Sequence, residues 1–144
     1  MPKPLISCAP WRVAQVPEFA KHYQVVIYDH RGLGRSDKPE VDYAPGAMAA
    51  FVGELVGALG LRSCDAVGNS LGGWIAWLMA KEFACVERLI LIAPAFNMMG
   101  VRAKTISPER QHEWHTAGWL PWDDEPLHKD WPLSWKWVEE SEAY

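Results

Sequence analysis

The sequence predicts an α/β fold, a mainly parallel sheet with flanking helices. Three observations carry that prediction. Short apolar runs rich in β-branched residues recur along the chain, among them Tyr23–Tyr28 (Y-Q-V-V-I-Y) and Arg88–Ala93 (R-L-I-L-I-A). Stretches of helical period separate them, and this alternation favours parallel strands joined by right-handed crossovers. At Ala66–Gly73 (A-V-G-N-S-L-G-G) an apolar run meets a helical pattern through G-x-S-x-G, with Ser70 at its centre. The chain has 144 residues, 49% of them hydrophobic, which is enough for a buried core.

Taken in order, Pro4–Cys8 is read as a short strand. Trp11–His22 has helical character, with Val16, Phe19 and Ala20 facing inward. The unbroken apolar character of Tyr23–Tyr28 suits a sheet covered on both faces. Asp29–Pro39 (D-H-R-G-L-G-R-S-D-K-P) is a polar loop in which glycines shape the turn and charged side chains pair or cap. Its G-x-G lacks the third glycine of a dinucleotide fingerprint, since Asp37 stands there, and no helix follows it directly. Pro45–Leu59 is a helix with Met48, Val52, Leu55, Val56 and Leu59 as its buried stripe and Gly60 as its stop. Cys64–Val67 is a buried strand, Leu71–Phe83 a helix and Arg88–Ala93 another buried strand. Ala95–Val101 reads as an apolar loop. Ser107 caps a helix over Glu109–Thr116 with Pro108 at its first position. Gly118–Pro132 is broken by three prolines and reads as irregular, and Ser134–Glu142 as a last helix.

The Ser70 turn is where chemistry is expected. A strand that stops, turns sharply and starts a helix lifts the central serine to the tip of the turn. Gly68 and Gly72 fit a crossing too close for side chains. The Leu71 N–H, at a helix N-terminus, points where a carbonyl oxygen would become an oxyanion. Composition excludes other classes. A net charge of −4 without a basic patch argues against nucleic acid. The three cysteines show no zinc spacing, no His/Asp/Glu cluster suits a metal, and no cofactor motif is present. No apolar run reaches membrane-spanning length, no secretory leader is evident and the cysteine count is odd, which favours a reducing compartment, so a cytoplasmic location is expected.

The blocks Y-Q-V-V-I-Y-D-H-R-G-L-G-R-S-D-K-P, A-V-G-N-S-L-G-G-W-I-A and E-R-L-I-L-I-A-P-A, in that order, resemble the α/β-hydrolase superfamily over roughly Pro17–Ala95. The resemblance implies a partial α/β-hydrolase core over residues 1–95 and the start of a helical, tryptophan-rich cap over 96–144. It implies Ser70 as nucleophile and Leu71 as one oxyanion donor. Asn69, His30, Met98 and Met99 are candidates for lining the substrate site. Serine at the elbow separates the chain from the dehalogenase and epoxide-hydrolase branches, which place Asp there. The family's His-Gly motif is not found in Leu5–Pro10. Asp123 or Asp124 with His128 has the triad's order, but all lie in one proline-rich segment, and His112 and His115 read as surface residues. The catalytic acid and histidine are therefore expected beyond Tyr144, after strands this chain does not contain. As a fragment it is expected to show little hydrolysis.

For His30 a partly exposed loop position is the plain alternative to site lining. For the nine tryptophans, six of them between Trp114 and Trp137, packing under a cap is the main role expected of most, with lining of an apolar pocket as the alternative, and Met98 and Met99 share that ambiguity. The resemblance implies a serine hydrolase acting on a carboxylic ester or related acyl bond of a small molecule. A peptidase of the proline-iminopeptidase type, a hydrolase of carbon–carbon bonds and a non-catalytic binding protein of the same fold remain alternatives.

Overall fold

The computed structural model describes residues 2–8, 15–120 and 133–143. The chain divides into two compact units, Met1–Val41 with Pro45–Ala95, and Asp42–Ala44 with Phe96–Tyr144.

The first unit is a four-stranded parallel sheet. Its strands are β1 (Lys3–Cys8), β2 (Tyr23–Tyr28), β3 (Cys64–Asn69) and β4 (Val86–Ile92), in the order β2-β1-β3-β4. The helices α1 (Gln15–Phe19), α2 (Pro45–Ala58) and α3 (Leu71–Glu82) connect them. From β1 the chain steps outward to β2, then crosses back over β1 to β3 and on to β4. With right-handed crossovers, that reversal puts α1 on one face and α2 and α3 on the other. The reversal point lies between β1 and β3, the place where open α/β sheets open a crevice at the strands' carboxyl ends.

Burial follows the order of the strands. β3 is covered from Cys64 to Gly68, and Leu5 and Ile6 of β1 are also buried. Met48, Val52 and Val56 of α2 and Trp74, Ile75 and Met79 of α3 are buried with them. Two expectations are corrected at the edges. Tyr23–Tyr28 and Arg88–Ala93 read as buried strands, but among the described residues β2 and β4 stand at the two ends of the sheet, with Ile27, Ile90 and Ile92 between 39% and 46% exposed. Leu59 does not belong to the buried stripe of α2 either; it follows the helix and is exposed. In α1 no residue is buried, and Ala20 lies past its end.

The second unit contains α4 (Met98–Ala103), α5 (Pro108–Ala117), α6 (Lys136–Glu142) and a two-stranded antiparallel ribbon of β5 (Trp119–Leu120) and β6 (Leu133–Ser134). The stretch read as an apolar loop thus contains a helix, begun by Asn97 at φ 55° in the left-handed region. Ser107 caps α5 as expected: its hydroxyl accepts from the Arg110 N–H at 3.3 Å, with Pro108 in the first turn. Gly118 ends α5 at φ 77°, and its carbonyl receives the Trp135 N–H at 2.8 Å. Trp114 is buried, with its ring edge-on to Trp135 at 5.3 Å between centroids. Met99, Trp137 and Val138 are buried, and the Ser141 hydroxyl donates to the Trp137 carbonyl at 2.6 Å. The Trp11 end of the first helical stretch, Trp122, Asp123, Asp124, His128 and Trp131 lie outside the described residues.

Candidate active site

Ser70 sits between β3 and α3 with φ 50° and ψ −122°, a backbone conformation that side-chain-bearing residues rarely adopt. The surroundings force it. A Cβ at Gly68 would lie 2.5 Å from the Gly72 carbonyl carbon and 2.7 Å from the Gly73 Cα, closer still to the Gly72 oxygen. Strand end and helix start therefore touch backbone to backbone, and only glycine at 68 permits it. At Gly73 a Cβ would come within 3.0 Å of the Pro94 Cβ, so this side of the turn is also tight.

The turn is tied to the neighbouring strand as well. The Ser70 N–H donates to the Ile92 carbonyl at 3.0 Å, and the Ser70 carbonyl accepts from the N–H groups of Gly73 at 3.0 Å, Trp74 at 3.3 Å and Ala95 at 3.0 Å. Sequence reasoning named Ser70 and its glycines. It did not foresee this strap from Ile92 to Ala95, where Ala93 also takes a positive φ of 42°. The one available signal was the I-A-P-A run following β4.

Held this way, Ser70 is exposed at the carboxyl end of the sheet, on the strand that borders the reversal point. Leu71 is the first residue of α3. Its N–H belongs to the turn that helix geometry leaves without an internal acceptor, at the positive end of the helix dipole. Asn69 ends β3 and is half-buried. Among the described residues no histidine or carboxylate is hydrogen-bonded to the Ser70 hydroxyl.

His30 is placed differently from a partly exposed loop residue. It is 1% exposed, with its ring 5.1 Å from Phe51 and 5.9 Å from Tyr28 between centroids. Nε2 lies 3.0 Å from the Met48 carbonyl oxygen and Nδ1 3.2 Å from that of Arg31. A neutral imidazole has one N–H, and the shorter contact favours Nε2 as its donor to Met48. Burial lowers the His30 pKa below its usual value, against the opposing pull of the two carbonyls. The side chain fastens the loop after β2 to α2. That loop is itself ordered around Asp29, whose carboxylate accepts from the Arg35 N–H at 3.1 Å and whose carbonyl accepts from the Ser36 hydroxyl at 2.6 Å. Pairing and capping within a glycine-shaped turn are thus what the loop's polar residues do. Met98 and Met99 lie in α4 of the second unit, Met98 36% exposed and Met99 buried.

At the opposite, amino end of the sheet stands an ionic cluster that the sequence did not disclose. The Asp65 side chain is buried. Lys3 Nζ is 2.6 Å from one oxygen, and Arg88 Nη2 and Nε are 2.7 and 3.0 Å from the other. Burial would raise the Asp65 pKa, but the hydrogen bonds from Arg88 and Lys3 more than reverse this and hold it below the usual carboxylate value. Among the described residues no group of His, Cys, Asp or Glu could hold a metal ion, and no helix is long and apolar enough to cross a membrane.

Comparison with known proteins agrees with the fold. A putative carbamate hydrolase RutD of Agrobacterium fabrum is 39% identical over 89 residues, 60% of this chain and 33% of its own length. Epoxide hydrolase 4 of Mus musculus is 36% identical over 83 residues, 56% of this chain and 22% of its own. The matched segment thus spans a third or less of these curated relatives. Among solved structures, Est816, described as an N-acyl homoserine lactone degrading enzyme, superposes with a TM-score of 0.61 at 27% identity, covering 80% of this chain and 46% of that one. The model of the alpha/beta hydrolase family matches residues 5–141, and with the parallel sheet and the strained serine turn already described, the chain belongs to that family.

Proposed function

We propose that this chain supplies the nucleophile of a serine hydrolase that cleaves a carboxylic ester or related acyl bond. The observation that carries the reading is the exposed Ser70 held at φ 50° on the turn after β3, at the carboxyl end of the sheet. In this mechanism the Ser70 oxygen attacks the substrate carbonyl and its proton passes to a base supplied from outside the described residues. The Leu71 N–H stabilises the resulting oxyanion, the alcohol leaves with the proton, and water then releases the acyl group from Ser70.

The relatives support an acyl substrate. A lactone is a cyclic ester, and a carbamate presents a carbonyl open to the same attack. Epoxide hydrolases are also relatives, but that branch of the superfamily is expected to carry Asp at the elbow, where this chain has Ser70. The test is a substrate panel with the full-length protein, in which the base is present: short-chain esters, lactones, carbamates, aminoacyl anilides and β-diketones. Turnover of an ester, lactone or carbamate that disappears in Ser70→Ala is expected. Turnover confined to anilides or β-diketones would move the reading to a peptidase or a carbon–carbon hydrolase. Binding without turnover of any substrate would favour a non-catalytic protein of the same fold.

A further inference from the structure

Cys64 and Cys85 are both free thiols, and neither takes part in the Ser70 turn. Cys64 opens β3 and is fully buried, whereas Cys85, half-buried, immediately precedes β4. The Cys64 N–H donates to the Cys85 carbonyl at 2.8 Å, and the Cys85 thiol lies near enough to that of Cys64 to perturb its ionisation. The register pairs Cys64 with Val86, so Cys85 sits one residue from the paired position. Neighbouring strands run about 4.8 Å apart, which is compatible with the Cα separations of about 4.4 to 6.8 Å that disulfides bridge. We propose that Cys64 and Cys85 form a reversible dithiol–disulfide pair that staples β3, α3 and the start of β4 around the Ser70 turn, exchanging with small-molecule disulfides of the glutathione class.

The accessible sulfur reacts first. The Cys85 thiolate attacks the small disulfide, forming a mixed disulfide and releasing one small thiolate. The Cys64 thiolate then attacks the Cys85 sulfur, forming the Cys64–Cys85 bond and releasing the second. Two protein thiols are oxidised, one small disulfide is reduced, and the two protein protons end on the released thiols. Burial, together with the adjoining Cys85 thiol and the Asp65 carboxylate, pushes Cys64 up to about 11 against the opposing charge of Lys3. The closed loop, residues 64–85, contains Ser70, but the bond forms at the other end of β3 and leaves the turn's contacts in place.

The experiment uses the intact protein, fully reduced and then incubated with oxidised glutathione, followed by non-reducing peptide mapping and thermal unfolding. A Cys64–Cys85 linked peptide is expected, with the unfolding midpoint raised by about 5 to 10 °C and restored by excess reduced thiol. Cys85→Ser, at the half-buried position, should give neither linkage nor shift. Cys64→Ala should stop at a glutathione adduct on Cys85. A lasting glutathione adduct on Cys85 of the unsubstituted protein, both thiols remaining open to alkylation, or a linkage through Cys8 would each overturn the proposal.

Discussion

At the residue scale, the structure separates residues that hold strain from residues that make room for it. Ser70 pays a conformational cost at φ 50° that glycine would not. Ser70→Gly should therefore stabilise the protein by about 1 kcal/mol in urea titrations while removing the hydroxyl. Ser70→Ala should remove the hydroxyl without that gain. Gly68→Ala belongs to the opposite class. Its new methyl would meet helix backbone at 2.5 and 2.7 Å, groups that cannot swing aside, and a loss of about 3 kcal/mol is expected. A Gly68→Ala protein as stable as the parent would mean that the strand and helix do not approach this closely. These two residues were legible in the sequence because their chemistry is local: a G-x-S-x-G between an apolar run and a helical pattern states its own geometry. His30 was not legible. Whether a loop histidine is exposed or fastened depends on where α2 packs, and the Met48 carbonyl lies 18 residues away.

At the scale of elements, the strands and long helices could be read from periodicity, and what could not be read was the rank of β1 and β2 in the sheet. β1 is a short strand with a proline near its start, yet it pairs on both sides and is a central strand. β2 looks more deeply buried by composition and is an edge of the described sheet. Apolar content alone does not distinguish a central strand from an edge whose one covered face is rich in Ile and Leu. The helix α4 escaped because it is short, contains Gly100 and begins at a left-handed asparagine. By contrast Ser107-Pro108 announced α5. Ser107→Ala should cost the second unit about 1 kcal/mol, seen as faster amide exchange in the first turn of α5, because the Arg110 N–H loses its acceptor. Unchanged exchange there would show that the cap does not stabilise the helix.

At the scale of the molecule, two titrating groups couple the fold to pH. The Asp65 carboxyl is held below its ordinary value, so its contribution is present above about pH 4, the unfolded carboxylate range, and is lost as pH falls through the folded value. Arg88 is 62% exposed, so water screens the pair, and Asp65→Asn should cost only about 1 to 2 kcal/mol at pH 7. His30 acts at higher pH with the same sign. Its folded value lies below about 6.5, so the unfolded chain binds the proton first, and stability declines as pH falls from there towards the folded value. Unfolding midpoints recorded from pH 7 to pH 3 should thus fall in two stages. His30→Gln should remove the upper stage and Asp65→Asn the lower, whereas a single-stage fall unaffected by either substitution would deny both groups a part. None of this was legible beforehand, since the Asp65 cluster joins Lys3, Asp65 and Arg88 from three different strands.

The central claim, that Ser70 is a nucleophile poised at the sheet's carboxyl end, has a direct test. The intact protein is treated with a serine-directed fluorophosphonate and digested, and the modified peptide is identified by mass spectrometry, with Ser70→Ala in parallel. The account predicts a single adduct on Ser70, absent from the variant. A folded protein that takes no label, or takes it at another serine to the same extent in both forms, would contradict it.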